Sequence, residues 1–302
     1  MAATHRLHLA AGELRVELAP ALGGCVASFR LGAIDLLRPL QVPEGATPHA
    51  LYSGMFPMVP FANSIRDNRF TLEGRTYEVQ PNMAGARLNY HGSGWQSGWA
   101  VSAHGDDFAE LVLDDASVDS VWRYNAVQRF VLTSDGLSVH TQVTNLGEQA
   151  MPFSFGQHPW FPRHGQALVR FGATGLWLED SEGHAEALVP VPEDADYSDW
   201  REPPPHYTNT CYAGWDGRAE IAWPRLNMGL VLTGDGIFEH LMFHVPPNRP
   251  DIVCFEPQTN ATSAFDGLED GQVAPGVHIL APGASVGGSI RMSILTNTNA
   301  RG

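Results

Sequence analysis

The chain has 302 residues, 43% of them hydrophobic, with 18 Lys and Arg against 33 Asp and Glu and a formal net charge of −15. Such an acidic chain is a poor fit to nucleic acid or an anionic membrane surface, and without a local basic pocket it disfavours phosphorylated substrates. Cys25, Cys211 and Cys254 are odd in number, widely spaced and free of any CxxC pair, which suggests neither a disulfide framework nor a thiolate zinc site and reads as reduced thiols.

The opening stretch MAATHRLHLAAGELRVELAP has no basic region ahead of an apolar one. No run of about 18 apolar residues follows anywhere, so a soluble, cytoplasmic protein is expected. With 31 Gly and 22 Pro the chain is rich in turns, and alternating segments recur along it. Glu13 to Leu18, Ala109 to Leu113, Arg218 to Trp223, Gly229 to Leu232, Phe238 to His244 and Gly287 to Leu295 read as strands. Phe70 to Val79 reads as a hairpin about Gly74, and Ala126 to Leu132 with Leu137 to Thr144 as another, with Asp135-Gly136 at a primed turn. No apolar stripe at helical spacing stands out. An all-β fold follows, a large antiparallel β-sandwich formed as one domain over 1–295. Val191 to Asn209, with REPPPHY, reads as a long surface loop, and 296–302 as a disordered tail.

Four stretches concentrate polar chemistry. FPMVPFANSIRDNRF places Asn63 and Arg66 after a Pro-punctuated apolar lead, where a solvated turn is the plainer reading. NYHGSGWQSGW carries His91 beside two glycines, with Trp95 and Trp99 as candidate stacking faces for a sugar, although a His in a Gly-rich turn is more often structural. SFGQHPWFP sets His158 among aromatic residues, where small shifts tune an imidazole into a proton donor. CFEPQTNATSAFDG puts Glu256 at the end of the apolar run Ile252 to Phe255; desolvation there raises a carboxyl pKa and suits a base. The alternative is a strand-end carboxylate that caps backbone N–H groups or pairs with an Arg. His240 and His244 in HLMFH have a spacing that suits metal ligands on a helix. The segment reads as a strand, so that reading is set aside.

In order and spacing these motifs resemble the aldose 1-epimerases, or galactose mutarotases, from GGCVASFRLGAIDLLRP through PFANSIRDNRF, YHGSGW, GQHPWFP and YAGWDG to FEPQTNATSAF and LAPGASVGGSIRMSI. The resemblance implies a β-sandwich whose concave face binds a free monosaccharide, with no metal or organic cofactor. It implies Glu256 as catalytic base, His158 as catalytic acid and His91 as a second histidine near the reacting oxygen. It further suggests Asn63, Arg66, Trp95, Gln157, Trp160, Asn209 and Gln258 as substrate-binding residues. Two departures stand out: Ser64 follows Asn63 where the family commonly has an arginine, and Asn209 precedes the CY pair where it commonly has an aspartate. Two residues on in an extended segment, Arg66 is expected to replace the missing arginine.

The implied activity is that of an isomerase of carbohydrate metabolism. It interconverts anomers by removing the anomeric hydroxyl proton while protonating the ring oxygen. Alternatives are a non-catalytic carbohydrate-binding or regulatory module, and an epimerase of a phosphorylated or modified hexose. The latter needs clustered cations, and this chain has no lysine and only Arg66, Arg69 and Arg75 near one another. The expected partner is a small-molecule sugar, with no nucleic acid or membrane, and the protein a monomer or homodimer.

Overall fold

The computed structural model describes residues 5–247 and 249–296. The tail expected over 296–302 lies outside the described residues except for Thr296, which closes the last strand.

The all-β antiparallel expectation is borne out. An eleven-stranded sheet runs in the spatial order Leu7–Ala11, Leu14–Ala19, Cys25–Leu31, Met55–Met58, Gly156–Pro162, Ile252–Gln258, His240–Val245, Thr208–Ala213, Gly175–Glu179, Ala185–Pro190, with Ile34–Asp35 beside Cys25–Leu31. The second sheet has eight strands: Leu168–Phe171, Arg218–Trp223, Met228–Gly234, Ser285–Thr296, Gly136–Asn145, Trp122–Thr133, Phe108–Val118 and Ala100–His104. Among the described residues, helical conformation is confined to short 3-10 turns such as Ala50–Tyr52 and Gly94–Gln96.

Alternation explains how the sheets meet. Along Trp122–Thr133 buried residues alternate with more exposed ones, so Trp122, Tyr124, Ala126, Phe130 and Leu132 form one inward face. Ile252–Gln258 is instead buried at all seven positions and is therefore covered on both faces. Val253 and Phe255 join the main apolar cluster. There Phe255 packs against Phe161 and Phe243, with ring centroids 5.5 and 5.6 Å away. Burying each such ring contributes about 1.5–3 kcal/mol. Ile252 and Cys254 point the other way, into a smaller cluster with Phe56, Met58, Trp95 and Trp160. The nominated residues His158, Trp160 and Glu256 stand on that second face.

Two sequence expectations change. In the second hairpin Thr133 pairs with Gly136, so Ser134 and Asp135 form the tip, and neither has the positive φ of a primed turn. Gly136 answers a different need: a Cβ there would lie 2.2 Å from the Met292 carbonyl oxygen on the neighbouring strand. The segment expected as a surface loop over Val191 to Asn209 is anchored midway, with Tyr197 only 8% exposed and stacked 5.2 Å from Phe171. Its last residues, from Thr208, already belong to a strand.

Candidate active site

Antiparallel register decides which side chains meet. Met242 pairs with Glu256 and His244 with Cys254, Asn209 pairs with His244, and Trp160 with Cys254. Residues two apart share a face, so His158, Trp160, Cys254, Glu256, Gln258, His244 and Asn209 line one side of the larger sheet. This is the side turned away from the second sheet.

At its centre His158 Nε2 lies 3.2 Å from Glu256 Oε1, with side-chain exposures of 8% and 3%. Burial pushes the Glu256 carboxyl well up from its usual range. Burial pushes the His158 imidazole well down, helped by His91, His244 and Arg38 nearby. Both effects favour neutral forms, so the resting pair holds its proton on Glu256. Trp160 stacks on the His158 ring at 4.6 Å and 10°, and the Arg38 guanidinium sits 4.1 Å from the Trp160 ring centroid. Arg38 is itself held by the Ser53 and Leu51 carbonyls. The imidazole therefore has one well-defined orientation.

His91 arrives from a loop rather than a strand. Its Nδ1 accepts the Asn63 backbone N–H at 3.0 Å, while the His91 backbone N–H donates to the Asn63 carbonyl at 2.7 Å. A neutral ring that accepts at Nδ1 carries its proton on Nε2. Burial pushes its pKa down to about 3, so His91 is a neutral donor. Its ring centroid is 5.7 Å from that of His158. The glycines of YHGSGW let this loop lie against Val59 and Pro60, since a Cβ on Gly92 or Gly94 would fall 2.4 Å from Pro60 Cδ or 2.2 Å from Val59 Cγ2.

The remaining nominated residues divide by position. Asn63 and Gln258 bond to each other through Nδ2 and Oε1 at 2.9 Å, and Gln258 is fully buried; they tie the His91 loop to the Glu256 strand. Trp95 is 1% exposed and its indole N–H donates to the Tyr90 carbonyl at 2.9 Å, which makes it a floor and not a stacking platform. Trp160, 8% exposed and covered by Arg38, supports His158 in the same way. Asn209 lies in the row, with Oδ1 3.0 Å from His244 Nδ1.

Two nominations are not brought together with the rest. Gln157 points to the opposite face of its strand, where its Nε2 donates to Gln128 Oε1 at 3.1 Å and Thr141 Oγ1 at 2.8 Å, bridging the two sheets. Arg66 lies in a 3-10 turn, Arg66–Asn68, not in an extended segment. Its guanidinium donates to Asp266 at 2.6 Å, Asp180 at 3.0 Å and the Ala185 carbonyl at 3.2 Å. With its donors so occupied, it does not replace the arginine missing at Ser64, which is buried and bridged to Tyr90.

Sequence reasoning weighed His244 only as a metal ligand and set it aside; its ring is 6.3 Å from His158 and 6.1 Å from Trp160. That reasoning overlooked Glu179, whose carboxyl burial pushes up to about 7. The period-two spacing of HLMFH did place His240 and His244 on one face, but not against which neighbour. Among the described residues, His158, Cys254 and Glu256 put one donor atom each within 4.8 Å of one another. The Cys254 thiol is pushed well above its usual value by burial, with the Glu256 carboxylate adding to the shift. A protonated thiol is a poor metal ligand.

The chain matches the sequence family described as Aldose 1-epimerase over residues 5–293. It is 33% identical to the uncharacterised Escherichia coli K12 protein YphB, covering 92% of this chain and 94% of that one. A crystal structure of a candidate aldose 1-epimerase from Escherichia coli K12 superposes with a TM-score of 0.87 at 30% identity, covering 96% of this chain and 98% of that one. A galactose mutarotase-like protein from Clostridium acetobutylicum superposes with a TM-score of 0.79 at 20% identity, covering 96% and 95%, a likeness of fold alone.

Proposed function

The chain belongs to the aldose 1-epimerase family, and on that premise we propose that it interconverts the α and β anomers of a free monosaccharide. The observation that carries this reading is the 3.2 Å separation of His158 Nε2 and Glu256 Oε1 on adjacent buried strands. The anomeric hydroxyl and the ring oxygen of a cyclic sugar are attached to the same carbon, so a base and an acid that close together can serve both. Polar groups of the sugar lower the cost of separating charge, and the shared proton passes from Glu256 to His158. The carboxylate then removes the hydroxyl proton while the imidazolium protonates the ring oxygen. The ring opens, the C1–C2 bond rotates, and closure on the other carbonyl face returns both protons. Each group contributes roughly 10²- to 10⁴-fold, and the His91 Nε2–H is a fixed donor for charge developing on oxygen.

Neutral sugars suit this site better than phosphorylated ones. Arg66 is paired with Asp180 and Asp266, and Arg75 lies over Tyr77 and donates to Gln149. Exchange NMR across a panel of free aldoses tests the reading. Catalysed exchange for at least one aldose, abolished by Glu256→Gln, is expected; uncatalysed exchange for every aldose would refute it.

A further inference from the structure

His244 stands beside the acid–base pair without a part in the proposed proton transfers. Its Nδ1 is 3.0 Å from Asn209 Oδ1. An amide oxygen only accepts, so this contact requires the proton on Nδ1. The amide is turned so that Oδ1, and not Nδ2, faces the ring. A neutral imidazole protonated at Nδ1 has a bare lone pair at Nε2. Burial pushes the His244 pKa down to about 4, so the ring stays neutral near pH 7.

His91 is fixed in the opposite sense, because its Nδ1 accepts from the Asn63 N–H. The two rings stand 5.7 and 6.3 Å from the His158 ring between them. We propose that His244 Nε2 accepts a hydrogen bond from a hydroxyl group of the bound sugar, opposite the donor His91, and that Asn209 is the positioning residue that keeps it an acceptor. This rests on the reading of the protein as a sugar epimerase and deepens it. The site selects aldoses that carry a free hydroxyl at that position, and it discriminates against the corresponding deoxy or O-methyl sugar. It also gives Asn209 a reason: an aspartate there would stabilise imidazolium and remove the acceptor.

Nitrogen-15 NMR of the free, full-length protein reads the tautomer directly. His244 is expected protonated at Nδ1 alone in the parent protein and as imidazolium near pH 7 in Asn209→Asp; a parent His244 protonated at Nε2 overturns the proposal. In kinetics with an aldose that is turned over, His244→Leu should raise KM roughly tenfold with kcat little changed, and His244→Gln, whose amide oxygen accepts, should recover most of the loss. An unchanged KM in His244→Leu also overturns it. If no aldose is turned over, the epimerase reading fails separately, and titration with D-galactose and the rest of the panel decides this proposal. A shift of His244 Nε2 with any of them supports it, and an unmoved Nε2 with all of them overturns it.

Discussion

Asn63 and His91 hold each other in left-handed backbone conformations, with φ of 58° and 61°, through the two hydrogen bonds that run between them in opposite directions. A non-glycine residue held in this region costs on the order of 1–3 kcal/mol, so two facing each other at one site mark a place where geometry is favoured over local stability. The result is a histidine of fixed tautomer beside the acid–base pair, supplied by a loop that the glycines let close.

Gly92→Ala should therefore damage both fold and function. The residue has φ of +65°, and its new Cβ would fall 2.4 Å from Pro60 Cδ and 2.6 Å from the Val59 carbonyl oxygen. A loss of roughly 1–3 kcal/mol is expected in thermal or denaturant unfolding, with lowered turnover as His91 shifts. Unchanged stability would contradict the loop packing described above.

Glu256→Gln should stabilise the protein. In the unfolded chain the carboxyl ionises near its ordinary value of 4.5, while in the fold its pKa is raised well above that. Its contribution to stability is thus greatest below 4.5 and is lost as pH rises toward the folded value. The amide has no proton to hold, so the Tm advantage of Glu256→Gln should grow from about pH 5 to about pH 8. A Tm below the parent's at every pH would show that Glu256 is not carried at a cost.

The pH dependence of kcat follows from the same pair. On the proposed mechanism, activity needs one proton shared between Glu256 and His158. The acid limb corresponds to a second proton entering His158, whose pKa lies well below 6.5, and the alkaline limb to the last proton leaving Glu256, whose pKa lies well above 4.5. A plateau bounded by the lowered His158 value below and the raised Glu256 value above is expected, with the macroscopic values belonging to the pair. Activity confined to a narrow band between 4.5 and 6.5, the ordinary values of the two groups, would contradict it.

Arg66→Ala should leave the kinetics alone. Its partners are Asp180 and Asp266, and its side chain is 32% exposed, where an ion pair contributes about 0–1 kcal/mol. A small fall in Tm with KM and kcat within twofold of the parent is expected; a large rise in KM would return Arg66 to the sugar site.

The parts of this site legible in the sequence are those set by local pattern. Period-two alternation announced the strands, and a glutamate ending the apolar run Ile252 to Phe255 announced a desolvated carboxyl, because both signals lie within a few residues. What pairing decides was not legible. Gln157 lies one residue from His158, yet the pleat sends it to the other face, toward Gln128 and Thr141. Arg66 opens a 3-10 turn and its guanidinium is taken up by Asp180 and Asp266, partners far away in the sequence. His244 acquires meaning only through register with Asn209 and Cys254, which no single segment encodes.

The most direct test is two-dimensional exchange NMR of anomer interconversion, run on the parent, Glu256→Gln and His158→Asn with any aldose the parent accelerates. Glu256→Gln should fall to the uncatalysed rate and His158→Asn by about 10² or more, both still binding the sugar. Exchange within a few-fold of the parent in Glu256→Gln would contradict the assignment of Glu256 and His158 as the base and acid of this protein.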